Sequence, residues 1–173
     1  MALTRLGLNQ SINLATNVTG TLATGNGGTG ATSFSPGKVL QLVQHTFTTE
    51  QNYNNSSYEA SFITGAITPS AASSKIFITV ETVSANNDTA NSYSKGRIYR
   101  GTTGIGNEIH YDRLDSSGNS IYRYMPISLN YLDSPNTTSA TTYTFYRLKQ
   151  GGGLGYIGIN TTLSTLTLME IGA

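Results

Sequence analysis

Glu108, His110 and Asp112 occupy every second position of the run NEIHYDR. In an extended segment that spacing puts a carboxylate, an imidazole and a second carboxylate on one face, where they could hold a cation. The acidic spacers around Asp112, Asp115 and Asp133 are equally able to supply oxygen ligands for calcium, but none has EF-hand spacing. Polar residues alternating along the solvent face of a strand are the commoner origin of such a pattern, so no metal site is expected. GTTGIG (Gly101 to Gly106) and QGGGLG (Gln150 to Gly155) superficially suggest phosphate loops, yet neither is followed by a helix whose N-terminus could face an anion. QGGGLG reads instead as a wide turn between the last strands.

Other enzymatic chemistries find little footing. A glycosidase needs two carboxylates roughly 5 to 10 Å apart in a cleft, and neither a recognisable acidic motif nor a repeating solenoid period marks such a pair here. There is no G-x-S-x-G elbow for a serine nucleophile. The chain contains no cysteine, which removes disulfides, thiolate metal sites and cysteine nucleophiles together. The expectation is a protein without catalytic residues or cofactors.

Recognition chemistry is better represented. There are 11 tyrosines and no tryptophan, with a local group at Tyr93, Tyr99, Tyr111, Tyr122, Tyr124 and Tyr131. A flat ring with a hydroxyl can stack on a sugar and hydrogen-bond to it at low entropic cost. Tyr122 and Tyr124 share one strand face by alternation, with Arg123 on the other. Tyr99, Tyr122 and Tyr124 are therefore the candidate receptor-contacting residues, while filling the interior or a subunit interface is the competing role for the same rings.

The elements that would position these side chains are strands. From Val39 onward, runs rich in β-branched and aromatic residues alternate with turn-forming spacers such as NYNNSS, TPSAASS, ANNDTANS, DSSGNS and DSPNTTS. KIFITVETV (Lys75 to Val83) sends Ile76, Ile78 and Val80 to one face and Phe77, Thr79 and Glu81 to the other, the mark of a half-buried strand. Similar runs are VLQLVQHTF, YEASFIT, YSKGRIYR, IYRYMPISLNYL, TTYTFYRL, GYIGIN and STLTLMEI. About eight strands with no helices between them predict an all-β, antiparallel sandwich of jelly-roll type. Pro126 cannot donate to a ladder and marks an edge, a bulge or a break.

Residues 1–37 differ in character. Leu3, Leu6, Leu8, Ile12 and Leu14 are too irregularly spaced for an amphipathic helix, and a strap follows in which five of the residues from Gly20 to Gly30 are glycine. The division expected is an extended attachment arm over 1–37, with Gly25, Gly27 and Gly28 in its strap, and a β-sandwich domain over 38–173. Charged residues make up 11% of the chain and the formal net charge is +1, so the surface is neutral and polar and carries no footprint for nucleic acid. No run of about 20 apolar residues exists to insert into a membrane.

GTLATGNGGTGATS (Gly20 to Ser33) resembles a segment common in phage tail fibre proteins, where it lies between an attachment region and a fibre body. IYRGTTGIG (Ile98 to Gly106), YLDSPNTTSATTYTFYRLK (Tyr131 to Lys149) and TLTLMEIGA (Thr165 to Ala173) look like the terminal β-domain of fibre-like structural proteins from phages of marine and freshwater bacteria. The resemblance implies a virion component at the particle surface, a homotrimer without enzymatic chemistry. Its implied partners are other tail, baseplate or capsid proteins and host-surface glycan. This chain passes from the glycine strap straight to one globular domain without a repetitive shaft, which favours a short fibre, a tail tip or a capsid-surface fibre. A capsid-decorating protein is the alternative from the structural class, and a glycan-degrading enzyme the alternative from the catalytic one.

Overall fold

The computed structural model describes residues 38–88, 91–114 and 121–172. The attachment residues named above, Leu3, Leu6, Leu8, Ile12, Leu14, Gly25, Gly27 and Gly28, lie outside that range, as does Asp115.

The described residues form two antiparallel sheets from ten strands: β1 (Val39–Phe47), β2 (Gln51–Tyr53), β3 (Glu59–Ile67), β4 (Lys75–Asp88), β5 (Ser92–Arg100), β6 (Thr103–Leu114), β7 (Ile121–Asp133), β8 (Thr141–Gln150), β9 (Gly153–Ile157) and β10 (Ser164–Ile171). The only helical turn among them is a 3-10 turn at Ile159–Thr161. In the first sheet β1 pairs with β10 and β2 with β9, so each partner is one lane interrupted by a short break. β4 takes β10 along its first half and β9 along its second half, and carries β7 on its other side. The second sheet runs β3-β8-β5-β6.

Counted as lanes, the two sheets hold eight strands, and the chain winds as nested antiparallel pairs: β1/β2 with β9/β10, β3 with β8, β4 with β7 and β5 with β6. This is a jelly roll. The strand count expected from sequence is recovered, but its composition changes. Two of the expected runs prove to be parts of one broken lane, GYIGIN contributing to β9 and STLTLMEI forming β10. β2 and β6 are missing from the expected runs: Asn52 and Tyr53 of β2 fall in the spacer NYNNSS, and β6 shows in sequence only as the extended alternation of Glu108, His110 and Asp112. β7 is an edge of the first sheet, which explains how it tolerates Pro126.

The alternation seen in KIFITVETV holds: Ile76, Ile78 and Val80 are fully buried and join Ile63, Ile98, Phe145, Leu166 and Leu168 between the sheets. Each such side chain contributes about 1.5–3 kcal/mol when removed from water.

One region of the interior is polar. The hydroxyls of Tyr53 and Tyr111 meet at 2.6 Å. Arg147, 1% exposed, lays its guanidinium 4.9 Å from the Tyr53 ring centroid and donates to the carbonyls of Glu59 and Ala60. Gly155, in the β9 lane, makes room for this arrangement, since a Cβ there would fall 2.3 Å from the Tyr53 ring.

Candidate functional site

On β5, Tyr93, Lys95, Arg97 and Tyr99 alternate with the buried Ser94, Gly96 and Ile98, so all four project from the outer face of the second sheet. Register places Arg97 opposite Tyr146 and Tyr99 opposite Thr144 on β8. Tyr99 and Tyr146 are thus diagonal neighbours, a geometry within reach of aromatic side chains. Their rings stack with centroids 3.9 Å apart and planes 20° from parallel. Tyr58, just before β3, extends the group with its ring centroid 5.9 Å from that of Tyr99.

β6 brings the charge. Glu108 Oε1 accepts from Lys95 Nζ at 2.7 Å and lies 3.2 Å from His110 Nε2, while Oε2 accepts from the Tyr58 hydroxyl at 2.9 Å. The Lys95 hydrogen bond, followed by that from Tyr58, holds the Glu108 carboxyl down at about 2. Burial, reinforced by donation to Glu108, pushes the Tyr58 hydroxyl up. Arg97 is fixed from the other side by the carbonyls of Gly104 and Ile105, at 3.1 and 3.4 Å. Here GTTGIG finds its structural role: its turn joins β5 to β6, and Gly104 lacks the Cβ that would crowd the Arg97 guanidinium. Tyr93 donates to Gln150, stacks near His110 and lies under the Lys95 ammonium.

The candidate cation set is not assembled. Glu108 and His110 remain on the outer face, whereas Asp112 turns into the interior, where it accepts from Asn86 at 2.5 Å and pairs with Arg123 at 2.7 Å. The pairing of β5 with β6 shifts register twice, between Ser94 and Lys95 and between Gly96 and Ile98, which breaks simple alternation along β6. No group of three or more metal-ligating side chains occurs among the described residues. Asp133 is committed elsewhere, to Arg100 and Tyr143. QGGGLG carries the chain from β8 in one sheet to β9 in the other through positive-φ Gly151 and Gly153, a crossing between sheets and no anion loop.

The candidate receptor tyrosines separate. Tyr99 lies in the aromatic group of the second sheet, with Tyr58 and Tyr146, neither of which sequence singled out. Tyr124, 56% exposed, belongs to β7 of the first sheet. Tyr122 is on the same strand, with its side chain outside the described residues. Tyr111 is interior.

The arrangement offers three aromatic rings fixed on a rigid sheet, bordered by a carboxylate, an ammonium and a guanidinium already held by neighbours. It suits stacking against apolar faces of a polar ligand with directional hydrogen bonds at the border.

No protein-family model matches the chain, and no curated protein matches its sequence. Among solved structures it is similar to a mutant VP2 protein of infectious bursal disease virus in derived T=1 particles, at 12% identity and a TM-score of 0.38, covering 77% of this chain and 36% of that one. It is also similar to the structure of the Gt strain of that virus, at 12% identity and a TM-score of 0.37, covering 77% of this chain and 38% of the other. A third is the VP2 subviral particle, at 9% identity and a TM-score of 0.36 over 77% and 39% of the two chains. The chain therefore spans well under half the length of these viral capsid structures.

Proposed function

We propose that this chain is a structural component of a bacteriophage particle, a homotrimeric fibre or fibre-tip module whose arm over 1–37 joins it to other virion proteins. In this reading the tyrosine face of the jelly roll meets glycan on the host surface, and the protein binds without turning over its ligand. The observation that carries the binding part is the Tyr58, Tyr99 and Tyr146 group on a solvent-facing sheet, held at its border by the bond from the Tyr58 hydroxyl to Glu108. The phage assignment draws on the resemblance of GTLATGNGGTGATS to tail fibre linkers and on the neutral, hydroxyl- and amide-rich composition.

Two measurements test it. Antibody labelling of intact particles is expected to mark the tail or its tip, and labelling across the head would replace this reading with capsid decoration. Incubation with host polysaccharide is expected to give retention without release of reducing ends; new reducing ends would make the protein an enzyme.

A further inference from the structure

Three arginines of the sandwich are paired with a carboxylate: Arg100 with Asp133, Arg123 with Asp112 and Arg147 with Glu59. Arg97, on the outer face of the second sheet, has no such partner among the described residues. Its acceptors there are two backbone carbonyls, that of Ile105 for Nε and that of Gly104 for Nη2. The pairing of β5 with β6 explains this, because it passes from Gly96 opposite Ile109 to Ile98 opposite Ile105 and so sets Arg97 alone against Gly106, Asn107 and Glu108. A bulge of this kind re-aims side chains. Among the described residues this outer face carries one carboxylate, Glu108, which is engaged by Lys95 and Tyr58.

The two carbonyls take one edge of the guanidinium. Nε–H and the Nη2–H beside it are used, and of the five N–H groups of an arginine three remain, two on Nη1 and one on Nη2. The edge between Nη1 and Nη2 is a planar fork of the kind that grips a carboxylate in a bidentate, charge-assisted pair. It is fixed in advance: Gly104 lies so close that a Cβ there would fall 3.1 Å from Cζ, while Arg97 keeps part of its side chain exposed. Lys95 and Arg97 together face the single charge of Glu108, which leaves the surface beside the tyrosines with an excess of positive charge.

Arg97 stands directly opposite Tyr146 on β8, and Tyr99 follows it on the same face at about 7 Å along the strand. We infer that the glycan met by this face is acidic: a sugar ring lies against the group of Tyr58, Tyr99 and Tyr146 while a carboxylate borne on that ring takes the Nη1 and Nη2 edge of Arg97. The inference rests on the glycan reading given above and narrows it to one class of sugar. A planar, singly charged group matches both the shape of one fork edge and the excess charge beside it. A neutral sugar leaves that charge unanswered. Uronic acids and sialic acids share the required chemistry, a pyranose with a carboxylate.

The test offers host polysaccharide to the full-length chain before and after its carboxyls are reduced to alcohols, beside immobilised glucuronan and polysialic acid, each with its methyl ester. Native polysaccharide is expected to be retained about tenfold or more over the reduced form, with the preference falling as salt is raised. The glucuronan and polysialic acid arms show which source of carboxylate fits. Equal retention before and after reduction overturns this inference and leaves the glycan reading in place; no retention of either form removes both. Arg97→Gln is expected to abolish the preference for acid over ester. Arg97→Lys, which keeps the charge without the fork, should restore only part of it. A preference that survives Arg97→Gln in a folded protein would place the carboxylate on another cation and overturn the assignment. Should that variant fail to fold, the comparison of native with reduced polysaccharide on the wild type decides alone.

Discussion

Tyr99 and Tyr146 lie ring over ring on the outer face of the second sheet, one strand apart and diagonal in register. A pair of this kind contributes about 0.5–1.5 kcal/mol beyond simple burial, too little to decide the stability of the fold, which rests on the apolar core between the sheets. Its larger effect is to fix the two rings against each other. Tyr99→Ala is therefore expected to lower stability by about 1 kcal/mol while reducing retention on host polysaccharide at least tenfold. Tyr99→Phe should keep the stack and most of the stability. Unfolding curves and binding isotherms on the same preparations check this, and full binding by Tyr99→Ala would remove the stack from the recognition surface.

Asp133 ties the two sheets at one end. Its carboxylate accepts from Arg100 on β5 at 2.9 Å and from the Tyr143 hydroxyl on β8 at 2.7 Å, although Asp133 itself belongs to β7 of the opposite sheet. Burial, then donation to this carboxylate, raises the Tyr143 hydroxyl above its ordinary range. Asp133→Asn withdraws the charge and misplaces an amide against a guanidinium, so a loss of about 1–3 kcal/mol is expected. Tyr143→Phe removes one neutral donor and should cost less, near about 1 kcal/mol. Chemical denaturation of the two variants gives the order, and an equal effect would mean that Arg100 contributes little.

Much of this architecture was legible because period-two alternation is a local signal. Ile76, Ile78 and Val80 announce an inner face by themselves, and the turn-rich spacers separate one strand from the next. What was not legible depends on partners far away in the chain. Arg147, Lys149 and Glu170 sit in strand positions where charge ordinarily means solvent, yet all three are buried; for Arg147 and Glu170 the hydrogen-bonding partners are at Glu59, Ala60, Ser70 and Gln41. The breaks in the two split lanes show as interruptions between runs, but that β9 and β10, or β1 and β2, share a lane is set by their pairing with β4 and with each other. Tyr99 and Tyr124 look equivalent in sequence and are placed on different sheets only by the winding of the roll. Asp112 follows Glu108 and His110 at regular spacing, and only the shifted pairing of β5 with β6 turns it inward.

Gly155 provides a packing test. The Tyr53 ring covers it so closely that an added methyl would overlap the ring at 2.3 Å. Tyr53 cannot retreat easily, because its hydroxyl is bonded to Tyr111 and its face to Arg147. Gly155→Ala is thus expected to destabilise the protein by about 1–3 kcal/mol through overpacking, seen as a lowered denaturation midpoint. Combining it with Tyr53→Leu should give less than the sum of the two single losses, because the smaller side chain removes the clash. Additive losses would place the strain elsewhere.

Glu170 gives the fold an acid-sensitive element. Its side chain is fully buried, with Oε1 accepting from the backbone amide and hydroxyl of Ser70 at 2.7 and 2.6 Å and Oε2 accepting from Gln41 at 2.6 Å. Burial alone would raise its carboxyl, but the donors from Ser70 and Gln41 outweigh that and hold it at about 2, below the ordinary 4.5. A carboxyl whose folded value is depressed contributes stability that is present above its unfolded value and is lost as pH falls through the folded one. Wild-type stability should therefore be insensitive to this group above about pH 5 and decline between about pH 4.5 and 2. Glu170→Gln keeps the shape and loses the charge-assisted bonds, so it should be weaker by about 1–3 kcal/mol near neutrality, with the gap to wild type narrowing toward pH 2. Urea midpoints measured for both proteins across that range decide the point: a gap that stays constant with pH would show that the carboxylate is not what Ser70 and Gln41 hold in place.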